Sequence, residues 1–313
     1  MNNFLEYHND PINQFLLKDE KTGIELWLKR EDLLHPFVSG NKYRKLKYNL
    51  IEARKNGYQK ILTFGGAFSN HIAATAFAAK EVGLESVGVI RGEELGKNIE
   101  KILQENSTLA FANEQNMNLH FISRSDYREK DSVKIQHKLE EKFGLFYRIP
   151  EGGTNGLAVK GCEEIISDTE KDFDVICSSV GTGGTISGLV NASFPHQKII
   201  GFLALKGDFL AEEIKKFSKK NNWELILDYH FGGYAKVDDS LIQFINKFTE
   251  NYAVQLDPVY TGKLLFGIID LIKAGRFKEN TRILAIHTGG LQGISGMNKK
   301  LAKKNMPLLK TMV

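Results

Sequence analysis

FDVICSSVGTGGTISGLVNA, residues 173–192, decides how the chain is built. Phe173–Ser178 is a short apolar run that reads as a buried strand, and Gly183–Ala192 reads as a helix that opens directly out of a glycine loop. Glycines at such a junction let backbone N–H groups converge, and the helix N-terminus adds partial positive charge, so the loop is an anion cradle suited to phosphate. Gly181, Gly183 and Gly184 supply the backbone freedom, and Thr182 and Thr185 add hydroxyl donors. A dinucleotide fingerprint fails because Ile186 stands at the third glycine position, and no G-K-[ST] run completes a Walker loop. A phosphate monoester is the expected ligand; a tight turn without a ligand is the competing reading of the glycines alone.

The same alternation of short apolar runs with amphipathic stretches extends in both directions, which predicts an α/β fold of twisted parallel sheets flanked by helices. Strands are expected at Ile24–Lys29, Lys60–Phe64, Ser86–Ile90, Leu119–Ile122, Lys198–Leu203 and Arg282–Ile286. Helices are expected at Asn41–Lys55, Ser69–Val82, Asn155–Thr169, Asp208–Lys219, Ser240–Asn251, Gly262–Ala274 and Gly290–Lys303. With 313 residues two lobes are the default, the expected division being residues 1–53 and 151–313 as a larger domain and 54–150 as a smaller inserted one. Two further loops sit between a strand and a helix, Gly65–Asn70 and Glu151–Asn155, with Ser69 at a helix N-cap. Three such loops at the carboxyl ends of parallel strands would share one crevice.

Composition narrows the class. A formal charge of +4 spread along the chain makes no case for nucleic acid. The start MNNFLEYHND carries no basic, apolar leader, and no apolar run is long enough to span a bilayer, so the protein reads as cytoplasmic and not membrane-bound. Cys162 and Cys177 lie in apolar segments as buried free thiols, with no metal-ligand spacing. Lys299, Lys300, Lys303, Lys304 and Lys310 read as a solvated basic helix end.

Near the N-terminus stand Lys29–Asp32 and Ser39–Leu46, the latter reading SGNKYRKL. Gly40 and Asn41 place Lys42 at a helix start, where the helix dipole and the neighbouring Arg44 and Lys45 disfavour its protonation. A lysine of depressed pKa is the nucleophile that carbonyl cofactors require. Together with Gly65–Asn70, Pro150–Asn155, Gly181–Thr185, Asp257–Lys263 (DPVYTGK) and His287–Gly290, these runs resemble the fold-type II pyridoxal 5′-phosphate enzymes, built like the tryptophan synthase β chain. The resemblance is to the group of D-cysteine desulfhydrase and 1-aminocyclopropane-1-carboxylate deaminase, and it spans nearly the whole chain.

The resemblance implies the site. Lys42 matches the Schiff-base lysine, Asn70 a residue beside the cofactor ring, and Gly181 to Thr185 the phosphate loop, with Thr288 also at the cofactor. Ser69 matches the hydroxyl at the substrate carboxylate, in a substrate-binding set with Asn70, His71, Thr154 and Thr261. Tyr260 matches an active-centre tyrosine and Tyr234 a second, the latter in a stretch where core packing is the stronger reading. A homodimer is expected from the family alone. Departures exist: Asp10–Asn13 replaces a proline-rich entry, the phosphate loop is not spelled as in the deaminases, and the chain is short for the group. Thr261 and Thr288 stand where the deaminases carry glutamate and leucine, which points to D-cysteine desulfhydrase. The alternatives are 1-aminocyclopropane-1-carboxylate deaminase, another amino-acid deaminase, or a non-catalytic pyridoxal phosphate-binding protein.

Overall fold

The computed structural model describes residues 4–6, 9–205, 207 and 210–312. In chain order its regular elements begin with β1 (Asn13–Lys18), β2 (Glu25–Lys29), α1 (Asn41–Lys55), β3 (Lys60–Gly65), α2 (Asn70–Glu81) and β4 (Glu85–Arg91). Next come α3 (Ile99–Glu105), α4 (Ser107–Glu114), β5 (Asn118–Ile122), α5 (Arg124–Arg128), α6 (Val133–Phe143), β6 (Tyr147–Ile149) and α7 (Gly156–Glu163). Then follow β7 (Val175–Val180), α8 (Gly184–Ala192), β8 (Lys198–Leu203), α9 (Leu210–Phe217) and β9 (Trp223–Ile226). Last are α10 (Asp239–Tyr252), α11 (Thr261–Lys273), β10 (Arg282–Ile286) and α12 (Gly293–Ala302).

Two sheets result, one in the order β1-β2-β10-β7-β8-β9 and one in the order β5-β4-β3-β6. Every pairing is parallel except β1 with β2. The central strand β7 is buried at every position because helices cover both faces. Along β7, Val175 and Cys177 join one core cluster, with α10, α11 and α12, while Ile176 and Val180 join another, with α7 and α8. Each such side chain contributes about 1.5–3 kcal/mol on full burial.

Strand β1 is absent from the sequence expectation. NQFLLK lacks clean alternation and lies at the sheet edge, where one flank needs no apolar neighbour. The helix expected over Asn155–Thr169 stops at Glu163, and Ser167 opens a separate turn with a capping box that uses Glu170. Glu170 is buried and paired with Lys29 at 2.6 Å, so the chain leaves the helix to deliver a carboxylate to β2. Asp208, the expected start of the next helix, lies outside the described residues.

Helix α1 carries the SGNKYRKL run and packs on both halves of the molecule. Leu46, Leu50 and Ala53 meet Ile61 of β3 and Ala78 of α2, while its other side lies against α7. That second approach depends on Gly161, where an added Cβ would stand 1.9 Å from the Arg44 carbonyl oxygen. Arg44 itself is held by buried Glu31, at 3.0 Å, and by Glu164 at 3.2 Å. Substituting Gly161→Val should therefore separate α1 from α7 and cost about 2 kcal/mol or more. Urea unfolding of the variant checks this, an unchanged midpoint being the contrary result.

Candidate active site

Loops leaving the carboxyl ends of β3, β6, β7 and β10 face one cleft of about 1800 Å³. Lys42, in the first turn of α1, lines it together with residues of each of those loops. Gly40 caps the helix with φ 62°, and a Cβ there would fall 2.2 Å from the Thr288 carbonyl oxygen. Only glycine allows α1 to start this close to the end of β10. Burial, and after it the charge of Lys45, lowers the Lys42 pKa to about 7. The sequence reading blamed the helix dipole, Arg44 and Lys45. Arg44 is instead spent on Glu31 and Glu164, and burial leads.

The phosphate-cradle loop is built as its glycines require. Gly183 adopts φ 84° at the N-cap of α8, a left-handed conformation natural to glycine, and Gly181 and Gly184 stand beside it. Asn41 Nδ2 donates to Thr185 Oγ1 at 2.9 Å, tying α1 to α8. Thr182 and Thr154 hydroxyls meet at 2.6 Å, and Lys45 Nζ donates to the Gly152 carbonyl and Thr154 Oγ1 (both 3.2 Å) and to Thr182 Oγ1 (3.4 Å). Lys45 is buried and has no carboxylate partner among the described residues. Burial lowers its pKa as well. An ammonium surrounded by neutral oxygens and glycine amides lacks its counter-charge, and a phosphate supplies it. The cradle fits the phosphate of pyridoxal 5′-phosphate, with Lys42 on the same face of α1 as the amine. Sequence reading passed over Lys45 as an anchor. The signal was present: Lys42 and Lys45 stand three apart on one helix, hence on one face.

On the opposite wall, Ser69 caps α2, its Oγ accepting from the Ile72 N–H at 3.4 Å, and also lines the cleft. Asn70 beside it leaves a buried Oδ1 without a protein partner. His71 Nε2 lies 2.7 Å from Thr63 Oγ1, whose own hydrogen goes to the Ile149 carbonyl, so Nε2 carries the ring proton. Burial, then Lys42 and Lys45, hold the imidazole well below its ordinary pKa, so it is neutral.

Tyr260 closes the third side. Burial, and after it Tyr234, raises its pKa well above the usual phenol range, so its hydroxyl stays protonated. Tyr234 is 49% exposed, with its ring 6.2 Å from that of Tyr260 in an edge-on arrangement. It is not a core residue; the loop after the short turn at 228–230 brings it to the cleft. Thr288 lines the cleft floor, its hydroxyl 3.3 Å from that of Ser179 at the end of β7, a residue that no sequence signal singled out. Thr261 is not brought to the cleft. Its hydroxyl donates to Asp257 Oδ1 at 2.8 Å and accepts from the Asp257 N–H at 2.9 Å, and it is buried behind Tyr260. Asp257, which does line the cleft, also accepts the N–H groups of Val259, Tyr260 and Thr261.

An amine of lowered pKa, a cationic phosphate cradle and a ring of hydroxyls in one cleft define an enzyme that works through a phosphorylated carbonyl cofactor. The chain belongs to the family of pyridoxal-phosphate dependent enzymes, matched over residues 5–289, and uses that cofactor. Within it the chain falls in the 1-aminocyclopropane-1-carboxylate deaminase and D-cysteine desulfhydrase group. It is 32% identical to a Pyrococcus horikoshii protein named as a candidate 1-aminocyclopropane-1-carboxylate deaminase, across 93% of this chain and 92% of that one. It is also 32% identical to the mitochondrial bifunctional D-cysteine desulfhydrase/1-aminocyclopropane-1-carboxylate deaminase of Arabidopsis thaliana, across 91% of this chain and 77% of the relative. The crystal structure of a 1-aminocyclopropane-1-carboxylate deaminase homologue superposes with a TM-score of 0.81 at 28% identity, covering 95% of this chain and 94% of that one. No helix among the described residues is long and apolar enough to cross a membrane.

The Lys42 amine should become nucleophilic as pH rises through about 7, far below ordinary lysines. Reductive methylation of cofactor-free protein, followed by peptide mapping across pH, should show this midpoint at Lys42. Lys45→Met removes a like charge and should move the midpoint to higher pH; a midpoint near 10 in the parent protein is the contrary result.

Proposed function

We propose that the protein is a D-cysteine desulfhydrase carrying its cofactor on Lys42, and that it converts D-cysteine and water to pyruvate, hydrogen sulfide and ammonia. The observation that carries the reading is the shared cleft of a lysine with pKa about 7 and a cradle of Gly181–Thr185 with Lys45, closed by Ser69 and Tyr260. The bound cofactor supplies an electron sink for the pair left on Cα when its proton departs. Lys42 is the group that moves that proton, since an amine near neutrality serves as base and then as acid. Gly181, Thr182, Gly183, Gly184, Thr185 and Lys45 hold the phosphate. Ser69 and Asn70, at the N-terminus of α2, receive the substrate carboxylate, and neutral His71 and Thr154 border that position. Tyr260, kept protonated, donates a hydrogen bond to sulfur as the Cβ–S bond breaks and hydrosulfide leaves, and Tyr234 sets its direction.

Substrate choice rests on Thr288. A hydroxyl backed by the Ser179 hydroxyl offers a neutral partner to the cofactor nitrogen, which weakens the sink relative to a carboxylate partner. Sulfide leaves readily enough for the weaker sink, whereas opening an unactivated cyclopropane needs more. Thr261 drops out of the substrate set, because Asp257 occupies its hydroxyl. The names of the relatives favour a second reading, deamination of 1-aminocyclopropane-1-carboxylate.

Borohydride reduction should fix the cofactor to the peptide containing Lys42; label on Lys45 or Lys263 contradicts the assignment. Ser69→Ala and Tyr260→Phe should retain the cofactor while losing at least about tenfold in kcat/KM, equivalent to roughly 1.4 kcal/mol in the barrier. Between the two substrates, kcat/KM should favour D-cysteine over 1-aminocyclopropane-1-carboxylate, and the reverse order decides for the second reading.

A further inference from the structure

Lys263, the last residue of the DPVYTGK run, is only 2% exposed and has no carboxylate partner among the described residues. A buried ammonium is costly unless its hydrogens are taken up. Here Nζ donates to the backbone carbonyls of His230, at 2.8 Å, and Gly233, at 2.9 Å. Those carbonyls flank residues 231–233 of the loop that carries Tyr234. That loop pairs with no strand, and Phe231, Gly232, Gly233 and Ala235 all adopt positive φ, from 51° to 122°. Two of the four are not glycine, so the conformation is not one the local sequence prefers. Its beginning is pinned to α11 by Phe231 against Phe266, at 5.0 Å, and by Tyr229 donating to Asp270 at 2.7 Å. Lys263 pins the part nearest the cleft. Tyr260 stands one turn before Lys263, at the N-cap of the same helix.

We infer that Lys263 is a positioning residue that holds the Tyr234 loop against the helix end bearing Tyr260, and so sets the separation of the two tyrosines. One helix end then carries both the tyrosine at the reaction and the clamp that brings its partner alongside. The catalytic consequence rests on the role proposed above for Tyr234; the clamp itself does not.

The test is a double-mutant cycle of Lys263→Met with Tyr234→Phe in the holoenzyme, joined to amide hydrogen exchange of residues 231–236. Each single variant should lower kcat at least tenfold with cofactor absorbance retained, and the double variant should be no slower than Tyr234→Phe alone. Exchange in 231–236 should quicken in Lys263→Met while the strands keep their protection. Additive losses in the cycle, or unchanged exchange in the loop, overturn the inference. Should Lys263→Met fail to fold or to retain cofactor, Lys263→Gln, which keeps a donor, replaces it in the same cycle and under the same criteria. If Tyr234→Phe keeps full turnover, the assignment of Tyr234 falls, and the exchange data alone decide the clamp.

Discussion

Two ammonium groups three residues apart on α1, drawn into one cleft, disfavour each other's charge unless an anion joins them. The site resolves this conflict by dividing the roles. Lys45 is ringed by hydroxyl and carbonyl oxygens at the glycine cradle, where a phosphate restores neutrality. Among the described residues Lys42 has no such ring, and burial lowers its pKa to about 7. Burial, and for Lys42 the added charge of Lys45, thus sets the two amines apart, which fits one to a phosphate and the other to a carbonyl.

This division works only if α1 lies close to three other elements at once. Gly40 lets it start against the end of β10, Gly161 lets α7 press on its back, and Asn41 reaches Thr185 at the head of α8. Its apolar stripe meanwhile packs toward β3 and α2. The helix therefore connects the floor of the cleft, contributed by β7 and β10, with the wall that carries Ser69 and Asn70. A side chain larger than hydrogen at either glycine would move Lys42 relative to the cradle.

Much of this was legible in the letters, and the reason is local. A strand-to-helix turn must spell its glycines, so the loop at 181–185 is visible in the sequence, and β8 and β10 lie on their expected residues because each is one apolar run behind a basic residue. What escaped depends on contacts far along the chain. Strand β1 needs β2 to exist, and the break after Glu163 needs the buried Lys29. Lys45 reads only as a charge beside Lys42, because nothing nearby in sequence announces the hydroxyls of Thr154 and Thr182. Thr261 reads as a cleft residue because the resemblance sets it where the deaminases carry glutamate; only the helical turn shows that it points away from its neighbour Tyr260, with its hydroxyl on Asp257.

The meeting of Gly40 with the Thr288 carbonyl has a consequence for how the protein comes into being. It joins a residue near the start of the chain to one near its end, across the full set of parallel crossovers. Contacts of such long sequence separation bear a large loop-closure cost and form late. During synthesis the lysine helix is made early and the cradle past the midpoint, yet the floor that Thr288 gives the cleft is absent until β10 has emerged and slotted between β2 and β7. A nascent chain is therefore unable to assemble the complete site prematurely, and competence for the cofactor arrives together with the closing strand of the larger sheet.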